Sequence, residues 1–406
     1  MMTGDDDNEN YYRIPTSANS SRERNDRKRR FSFNDGRSEY GYRLPRPPFE
    51  HVVHTSHTCS SESGQIHIPI SVPNLILIGA QKSGTTTIQA LFDKHPAILT
   101  SVNSYRWHHP SGEKNDNAKR ETHFFDWNLG AANRKMINVT NELNLCQYRK
   151  DYADLFALDK VQPNVSVVFE KTPSYMVYPQ IAQMVDAVCK PWKPKILAIL
   201  RNPIDRAWSN YQMVDAGSAH DFEEWIDEEI HAFVKDGILE KALTVREFAQ
   251  SKGTIPPFTF PEDASLAKYA KLIEEYRGDR PYGLMLRGMY APLLYWWVHF
   301  FSPEDRLMIL QFEKFSAAHN EGNRRMENEL LQFAGIDVDN EESRGDGYDE
   351  NQLKDDGLDQ KDSRWKNRGE YEDMLPIHRH YLTLFYKPFN DMLVDLLGDE
   401  WKNIWD

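Results

Sequence analysis

Cysteine is scarce in this chain: three residues, Cys59, Cys146 and Cys189, stand among 406. A scaffold held together by several disulfides is therefore excluded, because at most one bridge can form. The wide spacing of the three also lacks the short intervals of a zinc site. Stability has to come from a hydrophobic core, and 40% apolar residues in a chain of this length are sufficient for one.

Long apolar runs are missing as well. The longest are strand-sized segments, well below the roughly 20 residues needed to cross a bilayer. No apolar stretch follows the charged residues near the N-terminus, as a secretory signal requires. We therefore expect neither a transmembrane segment nor a targeting peptide in this chain.

Positive charge is in deficit. Lys and Arg number 49 against 62 Asp and Glu, which gives a formal net charge of −13. Nucleic-acid-binding domains are normally basic, so we expect no nucleic acid among the partners. The negative surplus also argues against a heavily sulfated polyanion as a ligand, unless a local basic groove overrides the overall field.

Two segments differ in composition from the rest of the chain. Residues 1–70 are rich in Ser, Asn and Pro and have little apolar periodicity, which favours a disordered N-terminal region. Its basic run at residues 22–30 leaves open a nuclear signal, a membrane-surface patch or a solvated tail. Residues 337–363 hold eleven acidic and three basic residues and predict a flexible acidic insertion. The remainder of residues 71–406 is interpreted as one domain, because the motifs described below span it.

The most informative segment is residues 73–87, which read PNLILIGAQKSGTTT. Apolar residues followed by Gly, Ser and Thr predict a buried parallel strand, a tight turn and a helix whose free N–H groups face an anion. A nucleoside-triphosphatase loop carries its lysine directly after the second glycine, in the pattern G-x-x-x-x-G-K-S/T. Here Thr85 takes that position and Lys82 lies inside the loop, which argues against an ATPase. A chance turn after a core strand is the alternative interpretation.

A second apolar strand, KILAIL at residues 195–200, runs into RNPIDRAWSNY at residues 201–211. The strand delivers Arg201 at its carboxyl end, and Pro203 suits the first turn of the following helix. Ser209 comes two helical turns later, so the guanidinium and the hydroxyl are expected to converge on one phosphate. In the alternative interpretation, Arg201 forms an ion pair at the helix start and Ser209 is a solvated hydroxyl.

Between these motifs lie RETHFFDW at residues 120–127 and EKTPSY at residues 170–175. A carboxylate and lysines placed on opposite sides of a transferred group would accept a proton and neutralise a leaving oxygen. Glu121 is the candidate carboxylate and Lys171 a candidate lysine. The alternatives are a solvated glutamate, a buried histidine at position 123, and aromatic residues that only pack.

Together these segments resemble sulfotransferases that use 3′-phosphoadenosine 5′-phosphosulfate (PAPS). The pattern G-x-x-K-S/T-G-T-T at residues 79–86 resembles their 5′-phosphosulfate loop, and residues 201–211 resemble their 3′-phosphate motif, R-D/N-P-x-x-R-x-x-S-x-Y. Residues 120–127 and 170–175 resemble segments of the heparan sulfate glucosaminyl sulfotransferases, among the carbohydrate sulfotransferases. WKNRGEY at residues 365–371 is similar to the last PAPS loop, although the glucosaminyl enzymes usually show K-G-R there.

The resemblance implies a role for each matching residue. Glu121 would be the base, His123 and Asp126 would orient it and the acceptor, and Lys82 and Lys171 would neutralise the bridging and leaving oxygens. The residues implied in PAPS binding are Lys82, Ser83, Gly84, Thr85, Thr86, Thr87, Arg201, Ser209, Lys366, Asn367, Arg368 and Gly369. For the last four, an exposed basic loop is the alternative.

The resulting expectation is an α/β chain with the P-loop-like three-layer fold, a central parallel sheet flanked by helices. It would transfer a sulfuryl group from PAPS to a hydroxyl or amine of an acceptor, a carbohydrate of glycosaminoglycan type, without a metal. A P-loop kinase or ATPase, or a noncatalytic nucleotide- or glycan-binding relative, stays open as an alternative.

The compartment is not fixed by the sequence. Golgi lumen follows from the resemblance, and cytoplasm follows if no membrane anchor belongs to the chain. The N-x-S/T sequons at Asn19, Asn138 and Asn164 would be glycosylated only in the lumen.

Overall fold

Five parallel strands form the centre of the computed structural model, which describes residues 57–61, 64–68, 73–100, 121–128, 141–156, 165–214, 221–276, 283–303, 305–320, 324–338 and 373–405. The strands in chain order are β1 (His57–Ser61), β2 (Gly64–Ile68), β3 (Leu75–Gly79), β4 (Ile98–Leu99), β5 (Val167–Lys171), β6 (Lys195–Leu200), β7 (Lys241–Ala242), β8 (Phe258–Thr259) and β9 (Leu307–Gln311). The central sheet has the order β4-β5-β3-β6-β9, while β1-β2 and β7-β8 are separate antiparallel pairs.

Helices follow most strands of the central sheet. They are α1 (Thr85–Phe92), α2 (Glu142–Ala153), α3 (Gln180–Cys189), α4 (Pro203–Val214), α5 (Phe222–Lys235), α6 (Val245–Gln250), α7 (Leu266–Glu275), α8 (Tyr290–Phe300), α9 (Phe312–Asn320), α10 (Arg324–Ala334) and α11 (Pro376–Leu397). A π-helical turn covers Phe124–Asn128, and 3-10 turns cover Tyr175–Val177, Lys190–Trp192, Leu286–Gly288 and Asp399–Trp401.

Both faces of the sheet are buried. Side chains alternate along each strand, so Ile76 and Ile78 of β3 join the core beneath α3, α8 and α11, whereas Leu75 and Leu77 join the core beneath α1 and α10. Every residue of β3, β5, β6 and β9 is buried, as strands covered on both sides require. The predicted α/β three-layer fold with a parallel sheet is confirmed.

The second predicted strand, at residues 195–200, is β6, and the helix expected after it begins at Pro203. Helix α5 begins after a capping box formed by Asp221 and Glu224. Strand β5 runs to Lys171, and its last two residues, Glu170 and Lys171, pair with Ile76 and Leu77 of β3. These two residues carry polar side chains into the middle of the fold.

The N-terminal region contains structure that composition did not predict. Strands β1 and β2 form a hairpin within residues 1–70, and Cys59 of β1 is joined by a disulfide to Cys146 of α2. The expectation of disorder is therefore wrong for the two strands, because the covalent bond and the packing of β1 on α2 hold them. Residues 1–56 and the predicted acidic insertion beyond Val338 lie outside the described residues.

Among the described residues, no helix combines the length and the apolar character needed to span a bilayer.

The disulfide is expected to contribute measurably to stability. It joins residues 87 positions apart, so removing it frees a long loop in the unfolded chain. The double variant Cys59→Ala, Cys146→Ala should lose about 2–4 kcal/mol of unfolding free energy in urea denaturation. Reductant should lower the midpoint of the wild-type protein and leave the variant unchanged. A wild-type midpoint insensitive to reductant would contradict this assignment.

Candidate active site

The loop after β3 has the backbone of an anion cradle. Lys82 has a φ of 70° and Gly84 a φ of 86°, so the chain turns sharply before α1 begins at Thr85. The Ser83 amide donates to the Ala80 carbonyl at 3.2 Å and closes the turn. Ser83, Thr85 and Thr87 are buried, and the amides of Thr87 and Ile88 donate to the Gly84 carbonyl at 3.0 and 3.3 Å. The N-terminus of a helix attracts negative charge, so this end of α1 suits an anion.

Gly79 allows this loop to lie close to the segment after β5. A Cβ at position 79 would stand 3.0 Å from the Cβ of Met176 and 3.1 Å from the carbonyl oxygen of Pro173. Contacts this short are tighter than most real Cβ contacts, so a side chain at position 79 would require the neighbouring segment to shift by a few tenths of an ångström. The first glycine of the motif thus allows the close contact between the β3 loop and the EKTPSY segment.

Arg201, at the end of β6, makes direct contact with the β3 loop. Its Nη1 donates to the carbonyl oxygen of Lys82 at 3.2 Å, and its guanidinium lies over the ring of Phe312 with 5.1 Å to the centroid. The hydroxyl of Tyr290 donates to the Arg201 carbonyl at 2.8 Å. Because β3 and β6 are neighbours, the two sequence motifs meet at the same edge of the sheet.

Helix α4 begins at Pro203, two residues after Arg201. The side chain of Asn202 accepts a hydrogen bond from the backbone amide of Ile204 at 2.9 Å and caps the helix. The backbone amide of Asn202 donates to the carboxylate of Glu313 at 2.7 Å. Pro203 is the first helical residue, as predicted. Ser209 lies half-buried in α4. Its convergence with Arg201 on a phosphate stays a prediction.

Positive charge accumulates where these elements meet. The pKa of Lys82 is lowered, first by burial and then by the positive charges of Arg201 and Arg206. Arg206 is fully buried in α4 and donates to the carbonyl of Leu284. An anion bound here would stabilise these three cations against their mutual repulsion, so the loop fits a phosphate or sulfate group.

A second cluster lies at the end of β5, the strand on the other side of β3. The Lys171 ammonium donates to Glu121 at 2.7 Å, and the other oxygen of Glu121 is 3.4 Å from Nε2 of His123. Nδ1 of His123 is 3.0 Å from Asp126, whose carboxylate accepts from Ser174 at 2.6 Å. The structure thus brings together Glu121, His123, Asp126 and Lys171, the predicted catalytic residues on the acceptor side.

The charged groups of this cluster shift one another's pKa values. Burial alone would raise the pKa of Glu121, but the hydrogen bond from His123 and the charge of Lys171 outweigh it and lower the pKa to about 2. Burial would lower the pKa of His123, but its bonds to Asp126 and Glu121 raise it to about 9. At neutral pH, Glu121 is a carboxylate and His123 an imidazolium. The side chain of Glu121 is 29% exposed and is therefore reachable by an acceptor.

The sequence motifs assign no role to three residues of the site. Ser174 is the variable position of E-K-T-P-x-Y, yet it bonds Asp126. Glu170 is a fixed position of the same motif, and it is fully buried and accepts hydrogen bonds from four hydroxyls. Arg206 is a fixed position of the 3′-phosphate motif. A charged residue inside an otherwise apolar strand was the available signal for Glu170.

The roles expected of the last predicted loop and the expected absence of a metal both stay predictions. Lys366, Asn367, Arg368 and Gly369 lie outside the described residues, so their role in nucleotide binding stays a prediction. Among the described residues, no group of three or more His, Cys, Asp or Glu side chains is arranged to hold a metal ion.

Comparisons with known proteins agree with the sequence motifs at the family level. Residues 73–259 match the model of the Sulfotransferase family. The membrane-associated sulfotransferase kil1 of Dictyostelium discoideum is 22% identical over 384 residues, covering 85% of this chain and 69% of that protein.

Solved structures with similarity to the chain include a sulfotransferase from Alicyclobacillus acidocaldarius, with a TM-score of 0.43 and 22% identity over 82% of this chain and 100% of that one. The sulfotransferase domain of the curacin biosynthetic pathway has a TM-score of 0.35 and 11% identity, covering 78% of this chain and 98% of that one. None of these names states a sugar acceptor.

The charged cluster predicts a pH-dependent contribution of His123 to stability. Its folded pKa of about 9 lies above the ordinary 6.5, so the stabilisation is complete below pH 6.5 and is lost as the pH rises through 9. The unfolding free energy of wild type should exceed that of His123→Gln by about 3 kcal/mol near pH 6, and the gap should shrink by pH 10. Urea denaturation of both proteins across this range measures it. A gap that stays constant from pH 6 to pH 10 would contradict the assignment.

Proposed function

We propose that this chain, whose residues 73–259 match the sulfotransferase family, transfers the sulfuryl group of PAPS to a hydroxyl or amine of an acceptor, with Glu121 as the base. The acceptor that the sequence resemblance favours is a carbohydrate of glycosaminoglycan type.

The observation that carries the proposal is the order of three neighbouring strands. β5, β3 and β6 lie side by side and parallel, so their carboxyl ends share one edge of the sheet. Lys171 ends β5, Lys82 follows β3 and Arg201 follows β6. Ligands of open parallel sheets bind at this edge. The acid–base cluster, the anion cradle and the 3′-phosphate motif therefore follow one another across the sheet.

The residues at this edge fit the two ends of PAPS. The loop from Lys82 to Thr87 offers backbone N–H groups, hydroxyls and an ammonium to a phosphosulfate, and Arg201 with Ser209 would hold the 3′-phosphate. Lys366, Asn367, Arg368 and Gly369 are proposed to close over the nucleotide. When bound, PAPS supplies the sulfuryl group and a phosphate leaving group.

On the acceptor side, Glu121 is proposed to take the proton of the acceptor hydroxyl as the acceptor oxygen bonds to sulfur. The sulfur–oxygen bond to the phosphate breaks in the same step, and its electron pair stays on the leaving oxygen. Lys82 and Lys171 would neutralise that oxygen. His123, held between Glu121 and Asp126, keeps the carboxylate oriented.

Lys171 is proposed to act on both the base, Glu121, and the leaving oxygen. A carboxyl whose pKa is about 2 is a weak base, and Glu121 has this value while Lys171 is bound to it. If the Lys171 ammonium turns toward the leaving oxygen, it neutralises that oxygen and raises the pKa of Glu121 at the same time. One movement of a side chain would thus prepare both the base and the leaving group.

The disulfide supports the luminal alternative for the compartment. Disulfides persist in oxidising compartments and are rare in the cytosol, and Cys59–Cys146 joins two elements of the described structure. We therefore favour the secretory lumen over the cytoplasm.

The nucleotide that the protein binds preferentially tests the identity of the sulfuryl donor. Adenosine 3′,5′-bisphosphate should raise the melting temperature of the protein, because it presents the 3′-phosphate expected at Arg201, whereas ATP with Mg²⁺ should raise it less. Arg201→Ala should remove most of the difference. A larger shift with ATP and Mg²⁺ would favour the kinase or ATPase alternative and overturn the proposal.

Transfer of radiolabelled sulfur from PAPS across a panel of glycans and other hydroxyl- or amine-bearing acceptors tests the reaction. Glu121→Gln and Lys82→Ala should each reduce kcat/KM by about 10²- to 10⁴-fold, since the first removes the base and the second a cation at the leaving group. Glu275→Gln and Lys271→Ala, an exposed pair on α7, are the matched controls and should act as wild type. Binding of adenosine 3′,5′-bisphosphate without transfer to any acceptor would favour a noncatalytic relative.

A further inference from the structure

The acid–base cluster is built on a second, fully buried carboxylate. We propose that Glu170 is the positioning residue of the site: through three hydroxyl groups it holds the backbone of residues 122–125, which carries Glu121 and His123 into place. The effect of Glu170 on catalysis rests on the proposed function. Its effect on the position of residues 122–125 can be tested without measuring sulfuryl transfer.

Glu170 lies in the middle of the fold. It belongs to β5, has no exposed surface, and immediately precedes Lys171. Its Oε1 accepts hydrogen bonds from the hydroxyls of Tyr175 at 2.6 Å, Thr172 at 3.1 Å and Thr122. Its Oε2 accepts from the hydroxyl of Tyr152 on α2. In these bonds a buried carboxylate is satisfied by neutral hydroxyls.

Three of these hydroxyls also accept hydrogen bonds from the segment after Glu121. Oγ1 of Thr172 accepts from the amides of Thr122 at 3.2 Å and His123 at 3.4 Å. The hydroxyl of Tyr175 accepts from the amides of Phe124 at 3.1 Å and Phe125 at 3.4 Å. Oγ1 of Thr122 accepts from the Phe124 amide at 3.3 Å. Four successive backbone N–H groups are thus bound to hydroxyls that Glu170 holds.

The carboxylate sets the direction of these bonds. A hydroxyl has one hydrogen to donate and lone pairs to accept with. Because Glu170 accepts those hydrogens, the lone pairs of Thr172 and Tyr175 are turned toward the amides. The hydroxyl oxygens of Thr122 and Tyr175 are also 2.8 Å apart, so these two share their hydrogens between each other and the carboxylate. A group at position 170 that only accepts hydrogen bonds therefore orients these hydroxyls.

The segment needs this support because its backbone is strained at the functional residue. His123 has a φ of 49°, in the left-handed region, which residues with a side chain rarely adopt. That conformation places the imidazole between Glu121, at 3.4 Å, and Asp126, at 3.0 Å. If the four amides lose their acceptors, the segment is free to relax and the contact between His123 and Glu121 is lost.

The variant Glu170→Gln tests the positioning role of Glu170 without changing the volume of its side chain. Glu170→Gln keeps the shape but introduces an NH₂ donor where hydroxyl hydrogens now point, so the hydroxyls must turn. Tyr175→Phe is the milder variant, since it removes the acceptor of the Phe124 and Phe125 amides only. Tyr381→Phe is the matched control, because Tyr381 is a buried tyrosine whose hydroxyl bonds the backbone oxygen of Leu243 away from the site.

Histidine NMR is the direct readout. In wild-type protein labelled with ¹³C-histidine, the signal of His123, identified by its loss in His123→Gln, should titrate near pH 9 because Glu121 and Asp126 face the ring. In Glu170→Gln and Tyr175→Phe the midpoint should move toward 6.5, and in Tyr381→Phe it should stay. An unchanged midpoint in a folded Glu170→Gln or Tyr175→Phe protein would overturn the proposal.

Kinetics distinguish this inference from the proposed function. The two variants should lose about 10- to 100-fold in kcat, while the melting shift caused by adenosine 3′,5′-bisphosphate remains, since the β3 loop and Arg201 are untouched. A loss of the nucleotide shift equal to the loss of kcat would overturn a specific positioning role. If wild type transfers no sulfuryl group, the proposed function fails and the NMR titration still decides the role of Glu170.

Discussion

The pairing of β3 with both β5 and β6 is the constraint on which the candidate site depends. Parallel strands end at a common edge, so the segments that follow β3, β5 and β6, whose last residues are Gly79, Lys171 and Leu200, become neighbours in the fold. Gly79 then keeps the β3 loop against Pro173 and Met176, and Arg201 binds the Lys82 carbonyl. The sheet fixes the order of the groups across the site, and these two contacts fix their separation.

The electrostatics of the site oppose those of the whole chain. The chain carries a net charge of −13, yet Lys82, Arg201 and Arg206 lie close enough for the two arginines to lower the pKa of Lys82. On the other side of the β3 loop, the negative charge of Glu121 is balanced by Lys171 and His123. A local positive field at this edge would favour an anion there, which suits a small charged donor better than an extended polyanion that contacts the whole surface.

The sequence predicted those parts of the fold and site that are local along the chain. Apolar runs with glycine, proline and threonine at their ends located β3, β6, α1 and α4, and motif spacing selected Lys82 and Arg201. It did not predict the role of Ser174, which bonds Asp126 from 48 positions away, or the choice of Cys59 and Cys146 among three cysteines. Such pairs depend on the tertiary arrangement. The left-handed conformation of His123 was equally hidden, because the hydroxyls that bind its segment come from residues 172 and 175.

A buried carboxylate that neutral hydroxyls satisfy has to be justified by what it holds. Burial raises the pKa of Glu170, and the hydroxyls of Thr122, Tyr152, Tyr175 and Thr172 oppose that rise, so the charged form of this group carries a cost in desolvation. A cation at that position would satisfy the charge but would not orient hydroxyl lone pairs toward amides. In the proposed reaction, this separation of tasks would let Lys171 leave Glu121 while the backbone of residues 122–125 stays fixed. A single carboxylate could not both anchor the segment and change its own protonation state.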